Sequence, residues 1–104
     1  MKTTKESILR YLKEMKPELE EYGIEKIALF GSFATGQQNV YSDIDIAIRK
    51  ESSFLEDYTA YDYFNIISKI KQNILLKLHR NSDIFDLDSN SAFSESIKKE
   101  MIYV

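Results

Sequence analysis

A chain of 104 residues is expected to form one domain, residues 1–104, with a core but with only about 60–70% of its unfolded surface buried. Its 43% apolar and 30% charged residues exclude a disordered chain, and the absence of cysteine excludes disulfides, thiolate zinc centres and cysteine nucleophiles. One histidine rules out a histidine-rich metal site, and 14 basic against 17 acidic residues, the basic ones scattered, leave a weak footprint for direct nucleic-acid binding.

The N-terminal Thr3-Thr4-Lys5-Glu6 has the form of a capping box, with Glu6 three residues after Thr3, so a helix begins here. Ile8, Leu9, Leu12, Met15 and Leu19 recur at helical spacing and give it one apolar stripe. Pro17 is expected to interrupt it near Met15-Lys16, and Gly23 to end it. The apolar run 25–30 predicts a first strand, followed by a turn from Ser32 to Gly36, a polar loop over 37–42 and a second strand over 43–49. Residues 50–57 lack periodicity and read as a loop. A long helix is predicted over 58–79, where Phe64, Ile67, Ile70, Ile74, Leu75 and Leu78 follow a helical period. After a turn at Arg80-Asn81, 82–87 suits a third strand, and Phe93, Ile97 and Met101 mark a last helix over 91–101. This order gives a small α/β layer structure with its sheet covered mainly by helices. No apolar run approaches the roughly 18 residues of a membrane span, and the N-terminus, bearing lysine and glutamate, is no signal peptide. A cytoplasmic protein is expected, with no membrane partner.

The chemistry concentrates between the first two strands. Gly31 ends the first strand, and without a Cβ it lets a bound group approach the main chain. A short helical turn from Ser32 to Gly36 would present N–H groups that suit a phosphate. Asp43 and Asp45 stand at alternate positions of an extended segment and share a face, about 6.6 Å apart along the chain, while Ile44, Ile46 and Ile48 face a core. Two carboxylates side by side repel, and a hard divalent cation between them relieves the repulsion. A phosphate cradle beside paired carboxylates suggests nucleotide chemistry.

Gly31-Ser32, ten residues, then Asp43-Ile44-Asp45 resembles the Gly-Ser…Asp-x-Asp signature of the DNA polymerase β-like nucleotidyltransferases. Length and flanking sequence are most similar to the minimal nucleotidyltransferase antitoxins encoded beside HEPN-domain toxins. The resemblance implies a mixed, three-stranded sheet with the nucleotidyltransferase core, and a third metal-site carboxylate on the strand after the long helix. Asp83 takes that place, with Asp86 as the alternative. The two are an odd number of residues apart and face opposite ways on a regular strand, so one alone can join Asp43 and Asp45.

In such a site two Mg2+ ions are held by Asp43, Asp45 and Asp83, and Gly31 and Ser32 hold the phosphates of the nucleoside triphosphate. The implied reaction is transfer of AMP from ATP to a tyrosine of the partner HEPN toxin, which silences its RNase. Many relatives carry arginine where this chain has Phe33 or Thr35, a departure that bears on triphosphate binding. Two other functions are compatible with the residues: a non-catalytic module that neutralises its partner by contact, and transfer to a small molecule of the aminoglycoside type. His79 reads as a solvated helix-end residue, and Tyr58, Tyr61 and Tyr63 as a core edge or a partner-facing surface.

Overall fold

The structure, a computed structural model, describes residues 3–89 and 91–104. Helix α1 (Lys5–Glu21) leads into strand β1 (Ile24–Phe30), the short turn α2 (Ser32–Thr35) and strand β2 (Ile44–Lys50). A turn of helix, α3 (Phe54–Asp57), and the long α4 (Ala60–Leu78) follow, then β3 (Ser82–Asp86), α5 (Ser91–Ile97) and β4 (Ile102–Tyr103). The sheet order is β3-β2-β1-β4; β2 and β3 run parallel, across the α3–α4 crossover, and the other neighbours are antiparallel.

The α/β class agrees with the order of elements read from the sequence and the mixed sheet with what the resemblance implies, but the sheet has four strands where three were expected. The fourth, Ile102–Tyr103, is too short for any periodicity and is made by pairing Leu29 with Ile102 and Ala28 with Tyr103. Strand β2 begins one residue later than expected, leaving Asp43 just outside it. The presumed loop 50–57 contains α3, because Phe54 is 2% exposed and stacks on Tyr58 with ring centroids 4.8 Å apart. Helix α5 stops at Ile97, four residues short of the expected end, where the chain turns towards β4.

Helix α1 is capped by Thr4 and Ser7, one position along from the expected pair; Thr3 instead donates to the Leu78 carbonyl at 2.8 Å and ties down the end of α4. Pro17 does not break α1. It lies on the exposed face, as does Lys13, whose carbonyl loses its N–H partner, while Met15 and Leu19 on the other face stay buried and hold the backbone helical. Gly23 follows the helix at φ 81, a backbone that favours glycine.

The main core packs α1 and α4 against one face of the sheet. Ile8, Leu12 and Leu19 meet Ile44, Ile46 and Ile48, with Ile66, Ile70 and Ile74 from α4. The buried stripe of α4 keeps Ile70 and Ile74 of the predicted set, with Ile67 and Leu78 packed at its edge, but is rotated to take in Ile66 and leave out Phe64 and Leu75, which are 68% and 44% exposed. A smaller cluster on the opposite face, Ala28, Phe30, Ala47, Leu87 and Ile97, is covered by α5. Among the described residues no helix is long and apolar enough to cross a membrane.

Candidate active site

The period-2 alternation of β2 sends Ile44, Ile46 and Ile48 into the main core and turns Asp45, half-buried, to the other face. In the parallel register Asp45 pairs directly with Asp83, and across the antiparallel ladder with Phe30, the last residue before Gly31. Neighbouring strands are about 4.8 Å apart, so the two carboxylates stand side by side. Asp43 is exposed one residue before β2, and the Ile44 N–H that follows it donates to the Asn81 carbonyl at 3.0 Å, tying the two chain segments together.

Gly31 adopts φ 76 and ψ −156, left-handed in φ, and a Cβ there would stand 2.1 Å from Asp45 Oδ2. The glycine lets the backbone turn and leaves room for the carboxylate. Ser32 then opens α2; the Ala34 and Thr35 N–H groups bond back to the Gly31 carbonyl at 3.1 Å each, whereas the Ser32 and Phe33 N–H groups precede the first acceptor such a turn can offer. Gly36, at φ 81, closes it.

Burial pushes the Asp45 carboxyl pKa up, and Asp83, Asp43 and Glu100 push it further in the same direction. Glu100 has no local signal in the sequence. Continuing the β1–β4 register from Leu29 and Ile102 by two residues brings it opposite Gly31, and only that pairing reveals it. Among the described residues no three acidic or histidine side chains are placed close enough to hold a metal ion as they stand. The donor chemistry nevertheless fits a hard divalent cation: oxygen ligands alone, and a central carboxylate whose ionisation its acidic neighbours oppose.

Asp86 does not share this face. Its carboxylate accepts from the Tyr63 hydroxyl at 2.8 Å, from the Asp88 N–H at 2.8 Å and from the Lys50 ammonium. Burial alone would raise its pKa, but these bonds outweigh burial and hold it below the ordinary carboxylate value. Burial, then Asp86 itself, pushes the Tyr63 hydroxyl pKa upward. Tyr58 packs on Phe54, Tyr61 is 75% exposed, and exposed His79 caps α4 with a left-handed φ of 57. Of the two positions where the resemblance implies an arginine, Phe33 is buried in the core and Thr35 is exposed, its hydroxyl donating to the Gly31 carbonyl at 3.2 Å. Asp43 lines an open cleft of about 460 Å³ together with Tyr41, Leu75 and Arg80.

The sequence matches the family described as polymerase beta, nucleotidyltransferase, over residues 13–104. A Methanocaldococcus jannaschii protein provisionally named a protein adenylyltransferase is 39% identical over 80 residues, which are 74% of this chain and 92% of its own length. A second from the same organism, provisionally named alike, is 32% identical over 108 residues and aligns over 100% of both chains. A solved structure described provisionally as a minimal nucleotidyltransferase superposes with a TM-score of 0.73 at 20% identity, covering 96% of this chain and 95% of its own. A chain from a toxin–antitoxin crystal structure with AMP-PNP superposes with a TM-score of 0.63 at 22% identity, covering 97% and 72%. The chain belongs to the polymerase β family of nucleotidyltransferase enzymes.

Proposed function

We propose that this chain, acting as one minimal domain in the cytoplasm, transfers AMP from ATP to a tyrosine hydroxyl of a partner HEPN-type toxin and thereby serves as its antitoxin. The observation that carries the reading is the Asp45 carboxylate, set against Gly31 and paired with Asp83. Support for adenylyl transfer comes from the provisional names of the archaeal relatives, and support for a toxin partner from the toxin–antitoxin structure that shares the fold.

The acceptor oxygen bonds to the α-phosphorus of ATP, the bond from that phosphorus to the bridging oxygen of the β-phosphate breaks, and pyrophosphate leaves. Asp43, Asp45 and Asp83 would hold two Mg2+ ions, which supply charge neutralisation at the phosphates and acidify the acceptor hydroxyl. Asp83, exposed at the sheet edge, takes the proton of that hydroxyl. The Ser32 and Phe33 N–H groups and the Ser32 hydroxyl face the leaving β- and γ-phosphates and stabilise their growing charge. Glycine at 31 keeps that approach open.

Incubation with magnesium, ATP labelled at the α-phosphate and the product of the neighbouring gene tests the reading. Label on a toxin tyrosine, lost in Asp45→Asn, is expected; no transfer across nucleotides and divalent metals would overturn it. A second reading, neutralisation by contact alone, is favoured by the exposed Val40 and Tyr41 beside Asp43, 77% and 90% accessible. It is the correct one if the Asp43→Ala, Asp45→Ala double variant still neutralises the toxin in cells.

A further inference from the structure

Asp43 lies outside the strand, on the far side of an exposed loop, and something must fix where its carboxylate stands. Within the loop, the Asn39 N–H donates to Ser42 Oγ at 2.9 Å and the Ser42 N–H to the Asn39 carbonyl at 3.1 Å, bonds that shape the turn without anchoring it to the body of the protein. The anchor comes from the corner between α4 and β3. Arg80 Nη1 donates to the Ser42 carbonyl at 2.6 Å and to the Val40 carbonyl at 3.4 Å, and the Asn81 carbonyl accepts from Ile44 at 3.0 Å. Asp43 is the single residue between two backbone anchors supplied by adjacent residues of that corner.

The same guanidinium lies over the Phe33 ring, its central carbon 5.2 Å from the centroid. Phe33 is 1% exposed and belongs to α2, the turn that begins at Ser32. One side chain therefore touches both the loop that ends at Asp43 and the turn that carries Ser32. Its aim is set locally: His79 ends α4 in the left-handed region, and Thr3 ties down the Leu78 carbonyl just before it. A planar guanidinium can stack on a ring while its fork donates to carbonyls, which a lysine ammonium cannot reproduce.

We infer that Arg80 is a positioning residue that sets Asp43 against the Ser32 turn, so that the metal and phosphate halves of the site keep their spacing. The metal half of this inference rests on the function proposed above.

Arg80→Met and Arg80→Lys are compared with wild type by amide hydrogen exchange and by Mn2+ titration followed in electron paramagnetic resonance. In Arg80→Met, exchange at residues 41–44 is expected to speed up about tenfold, the scale of one lost bond from a charged donor, while β1 and the core of β2 keep wild-type protection. Mn2+ affinity is expected to fall about tenfold, as when a residue supporting a metal ligand is removed; Arg80→Lys recovers part of it. Unchanged exchange at 41–44, or acceleration spread evenly over the sheet, overturns the inference. If Asp43→Asn binds Mn2+ as wild type does, the metal reading fails instead, and exchange at 41–44 still decides on Arg80.

Discussion

The Asp45 carboxylate packs against the α-carbon of Gly31, where any Cβ would come within 2.1 Å of its Oδ2. Gly31→Ala therefore adds left-handed backbone strain of about 1–3 kcal/mol and displaces the carboxylate. Gly36→Ala shares the positive φ but meets open space, with nothing within 4 Å. Both variants should lose stability in denaturant unfolding, and Gly31→Ala alone should lose AMP transfer.

Asp45 also bears on stability. A carboxyl whose folded pKa lies above its unfolded value takes up protons first in the folded state, so stability rises as pH falls through that folded pKa towards the unfolded one. Asp45→Asn removes the repulsion outright. In metal-free buffer at neutral pH its melting temperature should exceed that of wild type, and magnesium with ATP should raise the melting temperature of wild type alone. For a ligand at a hundred times its Kd the gain is about 2.7 kcal/mol.

Asp86 carries the opposite sign. Its pKa is held below the ordinary value, so its contribution is present above the unfolded carboxylate pKa and is lost as pH falls through the depressed folded one. Asp86→Asn should lower stability at neutral pH and flatten the acid limb of the stability profile. It leaves the Asp45 face untouched, and transfer at neutral pH should survive in the folded fraction.

The rotated face of α4 is tested by paired substitutions. Ile66→Ala, at a side chain 8% exposed in the main core and outside the predicted stripe, should cost about 2–5 kcal/mol. Phe64→Ser, at a side chain 68% exposed, should stay within about 0.5 kcal/mol of wild type in the free protein.

What the sequence reveals is what local rules determine. The apolar run that ends at Gly31 locates β1, the alternation that follows Asp43 locates β2, and parity along β3 lets one alone of Asp83 and Asp86 stand on the Asp45 face. Where tertiary pairing decides, local rules fall silent. Strand β4 exists only against β1, and Glu100 nears Asp45 only through that pairing. Helix α4 carries apolar residues round most of its circumference, so periodicity alone could not choose the buried side. Pro17 is tolerated inside α1 because its missing N–H matters little on a wet face. Arg80 stands 37 positions after Asp43 in the chain, and only the corner between α4 and β3 brings them together.

Paramagnetic broadening by Mn2+, in the presence of a non-hydrolysable ATP analogue, is the most direct test of a cation site beside the Gly31 turn. In the amide correlation spectrum, signals of Gly31, Ser32, Asp45 and Asp83 should broaden first, and the effect should vanish in Asp45→Asn. Broadening centred elsewhere, or persisting unchanged in that variant, would contradict a metal site at these carboxylates and the transfer chemistry built on it.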